Sequence, residues 1–413
     1  MEHAEALERL CQLLNPQNKI EGVINTLTAA DWLELYQESI GQGVALLLYD
    51  RVKSLGEPVP EEMQGKLRQA NLEATARNLV MLHHAGNILK ALRQQDIAVI
   101  PLKGLYLAEN VYTGIGLRAF EDLDLLVHKG DIGRALMAMQ DMGYSLSTWY
   151  DAGAANTNIK HLPPLMKPGG PIVELHWRLL EEDAPFKIDM EGIWQRAVTE
   201  RVAEVDVKCQ SLEDLLLHLS VHFTYQHRLA GGLVRLYDIA ELIWKKGEVI
   251  DWEAARGIAA EWGAERALWL SLRLAQEITG AGVPQQVTDQ LVAGEGGSGI
   301  VEEAKRQLLS KNAGEPFLTP DLAALTQVKG LGGKLKLGMS RVFLPRSVLA
   351  REYYVNPRSL LIYWYYARRF VRLFRQYRRQ AWGVMAQSEG TKGAVESELA
   401  KARLNRWLDG REI

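Results

Sequence analysis

The chain has 413 residues, 47% apolar and 24% charged, with a net charge of −3. That length exceeds one ordinary core, and the composition is that of a globular protein, not a disordered or fibrous one. Two distant cysteines, Cys11 and Cys209, outside any C-x-x-C pattern, argue against a disulfide framework or a cysteine zinc site and point to a reducing, cytoplasmic setting.

Other segments add exclusions. No apolar run approaches about 18 residues, so no transmembrane segment is expected. The acidic, amphipathic start MEHAEALERL is no secretory signal. The charge is uneven: from Lys329 to Trp382 thirteen Lys or Arg stand against one acid, Glu352, for about +12, which leaves about −15 for the rest. Such asymmetry predicts an anionic partner for the C-terminal region, or docking on the protein's own acidic body.

In chain order, residues 3–93 read as helical. Apolar spacing near 3.6 runs through ADWLELYQESIGQGVALLLYDRV and again through MQGKLRQANLEATARNLVMLHHAGNILKALRQQ, with Pro58 and Pro60 between them. A mixed region follows. IAVIPL and DLDLLV read as strands, and DIGRALMAMQDMG as a helix from an Asp131 cap to Gly143. YSLST is a weak strand, and PPLMKPGGPIVELHWRL a hairpin across Lys167–Gly170 whose second strand spans Ile172 to Leu179. From Ser211 the pattern is helical again, GEGGSG near residue 296 reads as a flexible break, and a basic aromatic stretch dominates the end.

This predicts an α+β fold, a small mixed sheet flanked by N-terminal and C-terminal helical regions. The boundaries are 1–95 for a helical leader, 96–205 for the α+β core, 206–295 for a helical domain and 296–413 for a linker and basic helical region.

The chemistry concentrates in the mixed region. In DLDLLV, Asp122 and Asp124 alternate with leucines, so both carboxylates point to one face of a strand. Two acids on one face are costly to bury unless cations lie between them. Glu174, in the later apolar strand PIVELHWRL, is the third carboxylate if that strand pairs beside the first. Lys103-Gly104 follows a strand and opens a helix, a turn suited to phosphate, and Arg118 adds a planar fork.

These residues carry a resemblance. LKGLYLAENVYTGIGLRAFEDLDLLV, then DIGRALMAMQDMGY, VELHWRL, EDLLLHLSVHF and RLYDIAELI, resembles the uncharacterised nucleotidyltransferase family of the polymerase β superfamily over most of residues 5–285. The resemblance implies a minimal nucleotidyltransferase domain with flanking helices. It makes Asp122, Asp124 and Glu174 the catalytic, metal-binding acids and Lys103-Gly104 the nucleotide-side turn, to which the Arg118 fork, read from the residues themselves, adds its charge. It further implies two Mg²⁺ ions, with Mn²⁺ as the alternative, a nucleoside triphosphate as substrate, and an unidentified acceptor (a small molecule, sugar, peptide or RNA end). Many members of the wider superfamily carry Gly-Ser or Gly-Gly at the phosphate turn. Here Leu105 follows Gly104, which puts more of the triphosphate on Lys103 and Arg118. Two other readings stay open: a non-catalytic scaffold that keeps the fold, and a toxin that modifies RNA ends.

Several residues stand beside these. His176 shares the Glu174 face and either contacts phosphate, orients an acid or packs in the core. His218 and His222 have i, i+4 spacing but lack the glutamate of a zinc-protease helix, which points to a helix surface or substrate groove. Asp238 reaches the cleft or pairs two helices. GLGGKLKLG at 330–338 fails as a P-loop because leucine follows Lys334. The stretch from Leu360 to Trp382 reads as a basic amphipathic helix.

Overall fold

In the computed structural model, the Asp-Leu alternation at residues 122–127 forms the interior of a mixed sheet. The structure describes residues 3–55, 59–147, 160–291, 297–309, 346, 349, 359, 362–369 and 389–410. Five strands lie in the order β1-β2-β5-β4-β3: β1 (Val99–Pro101), β2 (Asp122–Val127), β3 (Ser145–Leu146), β4 (Leu165–Met166) and β5 (Ile172–His176). β2 runs parallel to β5, and every other pair is antiparallel. The central register sets Leu123 beside Val173, Asp124 beside Glu174 and Leu126 beside His176. One face of this pair buries Leu123, Leu125, Val173 and Leu175 completely or nearly so. The other carries Asp122, Asp124, Glu174 and His176, as the two-residue side-chain period requires.

Helices enclose the sheet from both chain directions. Before it come α1 (His3–Leu14), α2 (Glu21–Ile24), α3 (Ala29–Gly41), α4 (Ala45–Leu55) and the 34-residue α5 (Glu61–Gln94). Within it lie α6 (Gly104–Asn110), α7 (Ile132–Asp141) and α8 (Met190–Arg196). After it, α9 (Leu212–Val221) continues into a π-helical turn, His222–Gln226. Then follow α10 (Val234–Lys246), α11 (Trp252–Trp262), α12 (Glu265–Leu274), α13 (Gln285–Leu291) and α14 (Gly297–Leu308). The fold is thus a mixed α/β domain, a small mixed sheet between N-terminal and C-terminal helical regions. No helix among the described residues is long and apolar enough to cross a membrane.

The chain divides into two compact units, Met1–Ser147 with Lys160–Gly314, and Thr148–Ile159 with Glu315–Ile413. In the second, Leu349 and Ile362 pack with Tyr365 and Tyr366, and a helix spans Glu389–Leu408. Residues 362–369 are helical, with Trp364 exposed beneath the Arg368 guanidinium, 5.5 Å from its ring. The rest of the basic stretch, Leu361 and Val371 to Trp382 included, lies outside the described residues, as does GLGGKLKLG.

Four local expectations need correction. Asp131 makes no side-chain cap bond; a 3₁₀ turn precedes α7, and Asp131 pairs with Arg134 at 2.8 Å instead. Among its described residues YSLST contributes only Ser145–Leu146 as strand, and the strand after the Lys167–Gly170 turn stops at His176. Of GEGGSG, Gly297-Ser298-Gly299 opens α14, while Gly294 to Gly296 lie outside the described residues. A hairpin that the sequence reading lacks, β6 (Val198–Val202) and β7 (Val205–Cys209), turns at Ala203-Glu204 with φ of +47° and +61°. It docks on α6, where the Glu200 carboxylate accepts from Tyr106 and Asn110, both at 3.0 Å.

Candidate active site

Strand pairing builds the polar face. Because Asp124 and Glu174 are register partners on parallel strands, their side chains leave the sheet side by side. His176, two residues beyond Glu174 and 2% exposed, brings Nε2 to 3.1 Å from Asp124 Oδ1 and 3.3 Å from Glu174 Oε2. Carboxylates only accept, so Nε2 carries the proton and donates between them. Its Nδ1 is buried without a partner. Asp124, Glu174 and His176 each offer a ligand atom, all within 4.8 Å of one another, a cluster that could hold a metal ion. Asp122 is on the same face, one step toward the exposed start of β2.

The Lys103 turn sits against this cluster. The Leu102 N–H donates to the Asp124 carbonyl at 2.9 Å, which fixes the chain so that Lys103 Nζ reaches Asp124 Oδ2, also at 2.9 Å. Lys103 takes φ +45° and ψ −113°, a conformation that L residues seldom adopt. The strain falls on the lysine and not on the glycine after it. Gly104 answers a different need: a Cβ there would stand 2.9 Å from Phe120 Cβ.

Charges on this face are mutually adjusted. Burial alone would raise the Asp124 carboxyl, yet the Lys103 ammonium and His176 hold it well below the usual range. The His176 bond draws Glu174 down against its burial. Asp122 is shifted the other way, up, by partial desolvation and then by the Asp124 charge.

Sequence reasoning missed two neighbours, Lys160 and His161. They reach the site because residues 160–162 pair with the end of β5: Trp177 N–H donates to Lys160 O and Leu162 N–H to Leu175 O, both at 3.0 Å. His161 Nδ1 donates to the Leu162 carbonyl at 2.6 Å, and its Nε2 faces Glu174 Oε2 at 3.7 Å. Burial lowers the pKa of both Lys160 and His161. A cleft of about 790 Å³ begins where β5 ends, lined by Trp177, Phe186 and Trp194, with Glu181 on its wall 3.8 Å from Lys160.

Arg118 is engaged by another acid, although Asp122 is among the charges that act on it. Its Nε and Nη2 hold Asp238 Oδ1 and Oδ2 at 2.7 and 2.9 Å, its Nη1 meets the Ala119 carbonyl, and Tyr112 adds a bond to Asp238 at 2.8 Å. Asn78 of α5, fully buried, donates to the Ile115 and Arg118 carbonyls and fixes this loop. Asp238 therefore pairs a helix with the Arg118 loop. His218 is buried, not on a helix surface, with Nδ1 bonded to Gln210 at 3.0 Å. His222 and His227 share a contact of 3.0 Å between Nε2 atoms. Burial, then Lys103, holds His218 and His222 well below the normal imidazole range.

Residues 28–280 match the model of a family described as uncharacterised nucleotidyltransferase, so the chain belongs to that family, part of the polymerase β-like nucleotidyltransferase superfamily. No curated protein and no solved structure matches the chain.

Proposed function

We propose that this member of the uncharacterised nucleotidyltransferase family moves a nucleoside monophosphate from a nucleoside triphosphate to a hydroxyl acceptor and releases pyrophosphate. The observation that carries the reading is the pairing of Asp124 with Glu174, bridged by His176, with Asp122 on the same face. The donor set fits a hard dication. Carboxylate oxygens of Asp124 and Glu174, with Asp122 on the same face, suit Mg²⁺ or Mn²⁺. When bound, such ions supply positive charge to the transferring phosphoryl group and the leaving pyrophosphate.

The chain's own groups do the remaining work. Asp122, Asp124 and Glu174 would hold the ions, and the His176 Nε2–H fixes the angle between two of these acids. Glu174, ionised at neutral pH, takes the proton of the acceptor hydroxyl. Lys103 exchanges Asp124 for phosphate oxygen, and the cleft beyond β5 receives the acceptor. Two dications would bring about +4, which balances the charge of a fully ionised nucleoside triphosphate. Catalysis rests on position and charge, with no covalent enzyme intermediate.

Labelled nucleoside triphosphates and cell extract test the reading, with mass spectrometry to find which molecule gains a nucleotide. Asp124→Asn should lower metal-dependent transfer about a thousandfold or more while the protein stays folded. Transfer that survives this substitution overturns the role. A second reading, a binding protein without catalysis, draws support from the Lys103–Asp124 bond, which neutralises that acid without a metal. It expects no metal-dependent heat with Mg-ATP or Mg-CTP in calorimetry.

A further inference from the structure

We infer that Arg235, in the first turn of α10, is the guanidinium that grips the nucleotide phosphates, and that Arg118 is a positioning residue held away from them. The inference rests on the transferase reading and names a residue the sequence did not single out for it.

The Arg118 fork is spent. Both of its carboxylate-facing nitrogens are on Asp238, and the third is on the Ala119 carbonyl. Asp238 is equally occupied, accepting from Arg118 twice and from Tyr112. Arg235 precedes Asp238 by three residues, so the two share a helix face one turn apart, and Arg235 lies beside a pair whose acid is already filled. Its own bond goes to a backbone carbonyl, that of Gly231, and among the described residues it forms no ion pair.

The mount for this side chain is specific. Gly231 and Gly232 take φ of +90° and +87°. A Cβ on Gly231 would fall 1.9 Å from Arg235 Nη1, so the absence of that atom makes the room in which the guanidinium lies. A Cβ on Gly232 would fall 2.6 Å from the Gln42 carbonyl. That carbonyl accepts from Val234 N–H, and the Gln42 side chain accepts from Leu233 N–H, both at 3.1 Å. The start of α10 is thus clamped to the junction of α3 and α4.

Its surroundings match phosphate chemistry. Asp122, four residues after Arg118, is among the charges that act on Arg235, together with Arg118 and Asp238. Arg235 also acts on the His222–His227 pair and helps to keep it neutral; burial, then Arg235, brings His227 down to about 3. Arg235 is therefore one helical turn from Asp238, whose partner Arg118 lies four residues before Asp122, and it is within electrostatic reach of Asp122 and of two uncharged imidazoles while forming no ion pair among the described residues. A guanidinium so placed is matched by the oxygens of a polyphosphate, which it can hold bidentately.

Calorimetry on the full chain with Mg-ATP and with inorganic tripolyphosphate decides the assignment. Arg235→Ala should weaken both about 10- to 100-fold, a charge-assisted bond or two, with an unchanged melting temperature; Arg235→Lys should recover part of the loss. Arg118→Lys should lower the melting temperature yet leave tripolyphosphate affinity of the folded protein intact. Wild-type affinity in Arg235→Ala overturns the inference and leaves the transferase reading standing. So does an equal loss in folded Arg118→Lys, which returns the phosphate to Arg118. A wild-type protein that binds neither probe overturns the transferase reading, and this assignment with it.

Discussion

Two little-exposed ion pairs, Lys103–Asp124 on the sheet face and Arg118–Asp238 at the foot of α10, look alike by distance and behave as opposites. Their side chains are 15% and 11% exposed in the first pair, 17% and 5% in the second. The second is saturated: two parallel bonds from the guanidinium, a third from Tyr112, and Asn78 holding the loop. In the first a single ammonium meets one oxygen of Asp124 and His176 the other, the lysine backbone is strained, and His176 has a buried nitrogen without a partner. Strain of about 1–3 kcal/mol persists only where the surrounding structure imposes it, and such positions gather at ligand sites. A bidentate guanidinium pair fixes architecture, whereas a singly bonded ammonium on a strained backbone is ready to exchange partners.

The sharpest way to break that contrast is to neutralise each acid. Asp238→Asn leaves Arg118 and Tyr112 buried without their carboxylate and should cost about 3–5 kcal/mol in denaturant unfolding. Asp124→Asn should cost less, about 1–3 kcal/mol, because the lysine stem can carry its ammonium towards water and the charge beside Asp122 and Glu174 falls. Equal costs would dissolve the distinction between frame and site.

Glu241 sharpens the comparison from the same helix, as an acid one turn beyond Asp238 but without a saturating partner. Burial, helped by Asp50 and Asp238 and opposed by Lys245, pushes it up to about 7 from 4.5. The native protein therefore keeps a proton that the unfolded chain has lost, so this contribution to stability is present below about pH 4.5, falls as pH rises towards 7, and levels off above. The full difference is about 3 kcal/mol, an upper bound for a partly solvated group. Unfolding free energies of wild type and Glu241→Gln should diverge across that window; parallel curves would mean that Glu241 is solvated or paired.

Much of the site was legible for a simple reason. A two-residue period places Asp122 with Asp124, and Glu174 with His176, on one face whatever surrounds them. Partners were not legible. Nothing in the spacing of Arg118 and Asp238, 120 residues apart, says that they saturate each other. Lys160 and His161 belong to no strand of the sheet and reach the site only through backbone bonds to the end of β5. The β6–β7 hairpin was hidden because its turn takes positive φ at Ala203 and Glu204, without the Gly or Asn that normally announces it.

A second saturated pair sets the lower end of the scale. Arg196 holds Asp214 with bonds of 3.0 and 2.8 Å, while Ser211 caps α9 by accepting from Asp214 N–H and donating to Asp214 Oδ2, both at 3.1 Å. Ser211→Ala removes one helix cap and one of three bonds to a fully buried carboxylate, but leaves the guanidinium in place. The expected loss is about 1 kcal/mol in thermal unfolding, the ordinary value of a cap. A loss of several kcal/mol would mean that the hydroxyl, not the arginine, keeps Asp214 satisfied. The large cost expected of Asp238→Asn would then have to be sought in Tyr112 as much as in Arg118, because the two sites share one geometry, an arginine fork plus a single hydroxyl on a buried acid.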